Sequence, residues 1–248
     1  PGGKEQIAGE YQPGWMLLSY GKKVSVSSSL EGYPAENIVD EDARTAWVAQ
    51  SNRDMEWAQV DLQRLSSIHA IQVNFDEYGA NQKGAVSGVY QSYLIYASVN
   101  GEDWSLVVDY GTKKTDTPHD YIEFEEPFKA RYIKLQNKEY MVSENSVRDL
   151  RIFGKGQGST PRAVNDFTVE RDEADPCKAR LCWEAVPDAQ GYIVRYGIAG
   201  DKLYNNFQVM GENTLEIGSL NKGVAYYFTI DAYNENGITR TSRIKVCR

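Results

Sequence analysis

The class of fold is indicated most clearly by Ala35-Glu36-Asn37-Ile38-Val39-Asp40-Glu41-Asp42-Ala43-Arg44-Thr45-Ala46-Trp47, followed by Glu56-Trp57-Ala58-Gln59-Val60-Asp61-Leu62. The first stretch concentrates carboxylate and hydroxyl oxygens in one tight turn. The second alternates apolar and polar residues as a half-buried β-strand does. Together they predict a loop at the start of a β-sandwich that is fixed either by a metal ion or by its own side-chain caps.

Strand patterns dominate the rest of the chain. Ile71, Val73 and Phe75 alternate with polar neighbours, and the segments 131–136 and 150–153 have the same period of two. No comparable stretch carries a helical stripe, and clusters rich in Gly, Asn, Asp and Ser separate the strand patterns. The sequence therefore predicts an all-β fold.

Composition limits the class of protein. The chain has 248 residues, 41% of them hydrophobic, which is enough for two modest cores. Its 27 Lys and Arg against 35 Asp and Glu give a net charge of −8, which repels phosphate backbones and anionic lipid. Neither nucleic acid nor a membrane is an expected partner, and no apolar run of about 18 residues is present.

The two ends of the chain differ in character. The first residues, Pro1-Gly2-Gly3, show neither an initiator methionine nor a signal peptide, so residues 1–13 are expected to be a linker from a preceding region. The three cysteines, Cys177, Cys182 and Cys247, are sparse and lack metal-ligand spacing. Cysteine spacing leaves a disulfide among them open.

A Gly-rich segment divides the chain. Between Gly154 and Pro161 the hydrophobic pattern stops, and a new strand pattern starts at Val164. We therefore expect one domain at 14–155, a linker at 156–161 and a second domain at 162–248.

Six motifs stand in order along the first domain: Asn37-Ile38-Val39-Asp40, Thr45-Ala46-Trp47, Trp57 with Val60-Asp61-Leu62, Gly101-Glu102-Asp103-Trp104, Ala130-Arg131-Tyr132-Ile133-Lys134 and Asp149-Leu150-Arg151-Ile152-Phe153-Gly154. In this order they resemble the discoidin family, also called the coagulation factor 5/8 type C domain. Its bacterial members are largely carbohydrate-binding modules of family 32. The resemblance implies a jelly-roll β-sandwich of the galactose-binding-domain-like type.

The second domain has motifs of another kind. Trp183 ends an alternating segment, the stretch 191–196 is rich in Tyr, and Tyr226 follows Leu220 and Gly223. These resemble an immunoglobulin-like fibronectin type III sandwich. The resemblance implies a tyrosine corner, in which the Tyr226 hydroxyl bonds to backbone near Leu220. The alternative is that Tyr226 is an ordinary strand aromatic.

The acidic turn suggests calcium, which takes about six to eight oxygen ligands on a curved loop. Asp40, Asp42 and Thr45 suit such a site, and the resemblance implies that the carbonyl of Ala35 and the side chain of Asp149 complete it. The alternative is that Asp40 and Asp42 only cap turns.

Sugar binding needs a flat aromatic face with a few convergent polar groups, and such groups sit on loops. The resemblance places the site on loops at one end of the sandwich. This gives seven candidates: Asn52, Arg53, Tyr78, Asn81, Tyr90, Tyr140 and Asn145. The galactose-binding pattern of the family does not map onto them, and Tyr78 and Tyr90 alternatively pack their own loop.

Other aromatic and titratable residues are assigned to structure. Trp47, Trp57 and Trp104 are expected in the core with bonded indole N–H groups, and His69 is expected there as well because it shares the strand phase of apolar Ile71. No nucleophilic triad is indicated. Glu123 and Glu125 alternate as a solvated face rather than as a glycosidase pair, so no catalytic residue is predicted.

The whole layout also includes Gly14-Trp15-Met16-Leu17-Leu18-Ser19-Tyr20 at the entry, Thr117-Pro118-His119-Asp120-Tyr121 before a strand, and Asp201-Lys202-Leu203-Tyr204-Asn205-Asn206 in the second domain. In this layout the chain resembles the C-terminal part of bacterial family 43 glycoside hydrolases, which include xylosidases and arabinofuranosidases. The resemblance implies a non-catalytic, calcium-containing carbohydrate-binding region of an extracytoplasmic bacterial enzyme. It would hold plant cell-wall polysaccharide of the xylan or arabinan kind beside an N-terminal catalytic domain. The alternative function is a structural module that packs on and orients that domain without binding free sugar.

Overall fold

The protein is all-β in the computed structural model, which describes residues 14–53, 55–79, 89–140 and 144–248. One short 3-10 helix spans Ala35–Val39. The strands are β1 (Met16–Leu17), β2 (Lys23–Val26), β3 (Trp47–Val48), β4 (Trp57–Phe75), β5 (Gln91–Ser98), β6 (Ser105–Tyr110), β7 (His119–Tyr140), β8 (Ser146–Gly156), β9 (Phe167–Arg171), β10 (Ala179–Trp183), β11 (Gly191–Gly197), β12 (Asn205–Met210), β13 (Thr214–Ile217), β14 (Tyr226–Asn234), β15 (Gly237–Thr239) and β16 (Lys245–Cys247).

Two long antiparallel strands, β4 and β7, build both layers of the first sandwich. Residues 57–61 of β4 pair with 132–136 of β7 and with β2, whereas residues 66–74 pair with 119–130 and with β8. The register shifts between Asp61 and Ser66, where the ribbon passes from one layer to the other. The strand order is β1-β8-β4-β7-β5-β6, with β2 added to β4 and β3 to β8.

This ribbon places five connections at one end of the sandwich, which we call the loop end. Its described residues are 27–34, 49–53, 55–56, 76–79, 89–90, 111–118 and 144–145. The backbone N–H of Ser27 bonds to the Trp57 carbonyl, and that of Phe75 bonds to the Pro118 carbonyl. The ribbon corner and Gly156, which pairs with Ser66, lie at the opposite end.

The core of the first sandwich follows the predicted alternation. Trp47 is fully buried, and its indole N–H donates to the Ser28 carbonyl at 3.0 Å, as predicted. The core assignment of Trp57 and Trp104 is wrong, because both are only half-buried. Trp57 shares the strand phase of Gln59, which points away from the core, and Trp104 lies in the turn before β6.

His69 also departs from its expected place in the core. The ladder shifts register between Ile68 and Ala70, so His69 no longer has the phase of buried Ile71. The half-buried imidazole stacks on Trp15 with ring centroids 5.2 Å apart. Burial and the nearby charge of Lys155 lower the pKa of His69.

The second half of the chain forms another two-sheet sandwich. One sheet has the order β13-β10-β9, and the other has β12-β11-β14-β15 with β16 added to β14. Trp183 is buried in its core, as predicted. The Tyr226 hydroxyl accepts a hydrogen bond from the Asn221 N–H at 3.2 Å, which confirms the predicted contact near Leu220.

Hydrogen bonds and an ion pair join the two halves. Strand β8 continues through Gly156, whose N–H donates to the Glu235 carbonyl at 2.8 Å. The Glu235 carboxylate pairs with Lys22 and accepts a hydrogen bond from Gln190 at 3.0 Å. The predicted limits at 14–155, 156–161 and 162–248 stay a prediction, although the described residues form two separate hydrophobic cores.

Candidate functional site

The loop that carries Asn52 and Arg53 is held by the end of β7. Asn137 is buried, and its side-chain amide donates to the carbonyls of Asn52 at 3.1 Å and Arg53 at 3.0 Å. The backbone of Asn137 exchanges hydrogen bonds with Met55 and Glu56. Both candidate side chains are exposed, so this loop presents an amide and a guanidinium to solvent from a fixed backbone.

Glu56 organises the same loop, although the sequence did not point to it. Its carboxylate accepts hydrogen bonds from the hydroxyls of Ser27, Ser28 at 2.8 Å and Ser51 at 2.7 Å. Burial raises the pKa of Glu56, but the bonds from Ser27, Ser51 and Ser28 outweigh it and lower the pKa. In the sequence, only the run of serines at 27–29 could have indicated a hydrogen-bonded carboxylate here.

Asn145 supports the loop end from inside. Its side chain is only 2% exposed, so it does not face solvent as a surface sugar ligand would. Its N–H donates to the Ser51 carbonyl at 3.0 Å, and its carbonyl accepts from the Ala49 N–H at 2.8 Å. Within the described residues its Oδ1 has no hydrogen-bond partner.

Tyr78 packs against a neighbouring loop. Its ring meets that of Tyr33 edge to face with centroids 5.0 Å apart, and its N–H donates to the Ser146 hydroxyl at 3.3 Å. Both contacts reach segments outside the loop that carries Tyr78, so the alternative that Tyr78 packs its own loop stays a prediction. The ring is half-buried, so part of it still reaches the surface.

Tyr90 belongs to a polar cluster with Lys114 and Glu139. The ammonium of Lys114 lies 4.5 Å from the ring centroid of Tyr90, donates to its hydroxyl at 2.7 Å and pairs with Glu139 at 3.1 Å. Hydrogen bonds to Tyr90 and Glu139 raise the pKa of Lys114, and bonds from Tyr90 and Lys114 lower the pKa of Glu139. The sequence did not single out Lys114, which only its place in the connection 111–118 could have suggested.

Two of the seven predicted sugar ligands are not described. Asn81 lies outside the described residues. Tyr140 is the last residue of β7, opposite Gln91, but its side chain is outside the described part. The structure therefore brings Asn52, Arg53, Tyr78, Tyr90 and Asn145 to the loop end, with Asn145 buried.

The acidic turn caps itself. The N–H of Asp42 donates to Asp40 Oδ1 at 2.8 Å, and the N–H of Arg44 donates to Asp42 Oδ1 at 3.0 Å. The Thr45 hydroxyl donates to Asp40 Oδ2 at 2.8 Å. The Arg44 guanidinium and N–H bind the Asp42 carboxylate and lower its pKa to about 2. These are the hydrogen bonds expected if Asp40 and Asp42 cap turns.

Two further predicted calcium ligands are buried. Ala35 begins the 3-10 helix and is 9% exposed, and Asp149 in β8 is 3% exposed. Asp149 Oδ2 accepts a hydrogen bond from Asn74 at 2.8 Å, but its Oδ1 has no hydrogen-bond partner among the described residues. The guanidinium of Arg151 lies 3.9 Å from this oxygen. No group of three or more His, Cys, Asp or Glu side chains with metal-binding geometry occurs in the described chain.

The predicted solvated acidic face is confirmed. Glu123 and Glu125 are exposed on β7, with half-buried Phe124 between them. The described helical residues contain no segment of sufficient length and hydrophobicity to cross a membrane.

Comparisons with known proteins agree on the first sandwich. The family model of the F5/8 type C domain matches residues 23–148. Lactadherin from Rattus norvegicus is 33% identical over 110 residues, which cover 42% of this chain and 25% of lactadherin. Lactadherin from Mus musculus is 32% identical over 110 residues. The chain thus spans about a quarter of the length of these curated relatives.

Solved structures similar to the chain include two modules crystallised with sugars. One is chitosan-binding module 2 of a chitosanase/glucanase from Paenibacillus sp. IK-5, in complex with chitotriose; it is 19% identical with a TM-score of 0.47, over 55% of this chain and 99% of the module. The other is the family 32 carbohydrate-binding module of Clostridium perfringens NanJ, in complex with galactose; it is 17% identical with a TM-score of 0.46, over 56% of this chain and 98% of the module.

Proposed function

The chain belongs to the F5/8 type C domain family, and on that premise we propose that it is a non-catalytic carbohydrate-binding module that holds glycan at its loop end. The observation that carries the proposal is the grouping of half-buried Tyr78 and Tyr90 with exposed Asn52 and Arg53 on loops with a fixed backbone. Partly exposed rings offer a flat face to a pyranose, and the polar groups around them bond to its hydroxyls. Because such a site is shallow, we expect weak binding.

We further propose a source for the glycan and a place for this chain in a larger enzyme. The ligand is a plant cell-wall polysaccharide of the xylan or arabinan kind, held beside a catalytic domain of the family 43 glycoside hydrolase type. The second sandwich is a fibronectin type III-like spacer, which the Tyr226 contact supports. The location is extracytoplasmic in a bacterium.

The test is affinity electrophoresis of the 248-residue chain on xylan, arabinan and galactan gels, together with a glycan array. We expect retention on at least one of them. Tyr90→Ala should weaken it about tenfold, or about 1.4 kcal/mol, because a stacking face and the partner of Lys114 are lost. The matched control is Tyr204→Ala, which removes a tyrosine that is 75% exposed on the second sandwich. Absence of retention on every glycan would contradict the proposal.

We also propose a structural calcium ion that fixes the acidic turn. The Oδ1 of buried Asp149 supports this, because it accepts no hydrogen bond from the described residues and has only the more distant guanidinium of Arg151 at 3.9 Å, so it is suited to a cation. The Asp42 carboxylate does not fit, since Arg44 already neutralises it. The ligands would then be the Ala35 carbonyl, Asp40, Thr45 and Asp149, and the ion would supply stability rather than chemistry.

Thermal unfolding with calcium or with a chelator tests this second proposal. Calcium at about 100 times its dissociation constant should stabilise the fold by about 2.7 kcal/mol and raise Tm by several degrees. Asp149→Asn should abolish the calcium-dependent part of Tm, whereas Asp42→Asn should keep it. Equal melting curves with calcium and with chelator would show that no calcium ion stabilises the fold.

One observation favours the alternative function, in which the chain orients a catalytic domain. A groove of about 560 Å³ at the junction of the two sandwiches is lined mainly by apolar residues, among them Trp15, Phe153 and Met210. Such a groove is suited to a protein contact. Co-purification of this chain with a separately produced catalytic half tests it, and failure of the halves to associate would count against it.

A further inference from the structure

The outward side of one layer of the first sandwich carries an aromatic surface that begins at Trp57, next to the loop end, and extends along β4 and β7 away from it. On β4 and β7, Gln59 lies opposite Lys134 and Asp61 lies opposite Tyr132. These residues alternate with buried core residues and are half-buried, as are Trp57 and Trp104. We call the surface formed by Trp57, Gln59, Trp104, Tyr132 and Lys134 the tryptophan face.

Lys134 lies at the centre of this face. Its ammonium nitrogen is 3.8 Å from the ring centroid of Trp104 and 5.6 Å from that of Trp57. The rings of Trp104 and Tyr132 meet edge to face with centroids 6.5 Å apart. The contacts fix the lysine chain by cation–π attraction and hold the charge at the surface of the sheet.

The charge of Lys134 has no acidic partner in the described chain. Asp61, the acidic residue of the adjacent pair, instead accepts two bonds from Arg131 at 2.8 and 2.9 Å. No described carboxylate lies within 4.0 Å of the Lys134 nitrogen. Burial lowers the pKa of Lys134, which reflects the cost of holding an ammonium among aromatic rings without a counter-ion.

An ammonium with free donors between flat aromatic rings is complementary to one kind of sugar. A uronic acid has a pyranose ring with an apolar side that packs on an indole, and a carboxylate that accepts a charge-assisted hydrogen bond. The Gln59 amide stands beside Lys134 and is able to bond to ring hydroxyls. The net charge of −8 gives no long-range attraction for a polyanion, so recognition depends on this single local contact.

We propose that the tryptophan face is a second glycan-binding surface that takes a uronic acid residue, with its carboxylate on Lys134 and its ring against Trp57 or Trp104. The proposal goes beyond the loop-end site and does not require it. The half-buried side chains of the face follow two neighbouring strands, β4 and β7, so the surface suits a residue within an extended chain.

Calorimetric titration of the whole chain with an acidic oligosaccharide, tri-galacturonate, and with its carboxyl-reduced neutral counterpart tests the proposal. We expect the acidic ligand to bind at least about tenfold more tightly than the neutral one. Lys134→Met should remove that difference, and Lys134→Arg should keep most of it. The matched control is Lys129→Met, which removes an exposed lysine earlier on β7 and should have no effect. Added salt should weaken acidic binding only.

The outcomes separate this surface from the loop end. If Tyr90→Ala abolishes neutral glycan binding but leaves the acidic preference, the tryptophan face acts on its own. If Lys134→Met folds with an unchanged Tm and binds tri-galacturonate as Lys129→Met does, the proposal is wrong. It is also wrong if sedimentation shows that the wild-type chain self-associates and Lys134→Met does not, since a second copy would then cover the face.

Discussion

Glu56 shows how one half-buried carboxylate organises the loop end. Three serine hydroxyls from two segments, 27–28 and 51, converge on its carboxylate at the edge of the loop end. Hydrogen bonds to a charged acceptor are stronger than neutral ones. The loops that present Asn52 and Arg53 therefore depend on the ionised state of Glu56, which is not itself one of the predicted sugar ligands.

We expect Glu56→Gln to lower the free energy of unfolding by about 1 to 2 kcal/mol at pH 7, because it replaces charged hydrogen bonds by neutral ones. The folded-state pKa of Glu56 lies below its ordinary value of 4.5, so its stabilisation is present above about pH 4.5 and is lost as the pH falls through the folded pKa. The difference between the variant and the wild type should shrink accordingly in denaturant titrations from pH 7 to pH 3.

The control is Glu102→Gln, which changes an exposed carboxylate in the turn before β6. Its unfolding midpoint should match that of the wild type at every pH. A Glu56→Gln chain as stable as the Glu102→Gln chain at pH 7 would show that the serine contacts contribute nothing.

At the scale of elements, the strand phases were readable from the sequence where the ladder is regular. The alternation in β4 correctly places Val60 and Leu62 in the core. The same phase places Trp57 on the outward side, whereas the size of its indole suggested burial. The lysine that contacts this ring, Lys134, lies on β7, which is far from β4 in the sequence. Pairing partners such as Lys134 cannot be identified from local periodicity.

The remaining differences come from non-local features. The register shift at Ile68 and Ala70 moved His69 out of the core, and a bulge leaves no local signal in the sequence. Family motifs located the loop end, but the support by Asn137 and Glu56 depends on which loops meet there. The side chains that hold the loops were therefore harder to predict than the loops themselves.

Strand β8 packs closely on β4 at Gly154. A Cβ atom at this position would lie 2.0 Å from the backbone carbonyl oxygen of Ser67, so a side chain forces the two strands apart. We expect Gly154→Ala to lower the free energy of unfolding by about 2 to 3 kcal/mol. Chemical denaturation measures this directly.

Gly218→Ala is the matched control, because a Cβ there meets no atom within 4 Å. It should leave the unfolding midpoint within about 0.5 kcal/mol of the wild type. Equal effects of the two substitutions would show that β8 and β4 accommodate a side chain at position 154 without loss of stability.

At the scale of the whole molecule, Lys22 and Glu235 connect the two sandwiches. Both side chains are only 11% exposed, and the Glu235 carboxylate also holds Gln190. Removal of one partner of a buried ion pair leaves an unpaired charge. The two sandwiches are therefore expected to respond together to a change at this contact.

We expect Lys22→Met to destabilise the chain by about 3 kcal/mol and to make the segment 157–160 more sensitive to protease, since Glu235 is left without its counter-ion. The double variant with Glu235→Gln should recover a large part of the loss, because no lone charge remains. Differential scanning calorimetry and limited proteolysis give the two readouts. Additive losses in the double variant would contradict a direct coupling.

The folded-over ribbon of β4 and β7 also determines how the first sandwich folds. Trp57 pairs with Gln136 and Asn74 pairs with His119, so long loops must close before the contacts of either layer form. Non-local pairing of this kind slows folding. Because both layers share the same two strands, we expect neither layer to form alone. Strand β8 ends at Gly156, so the chain must be synthesised beyond this residue before the sandwich is complete. We expect the sandwich to assemble then in one slow, cooperative step.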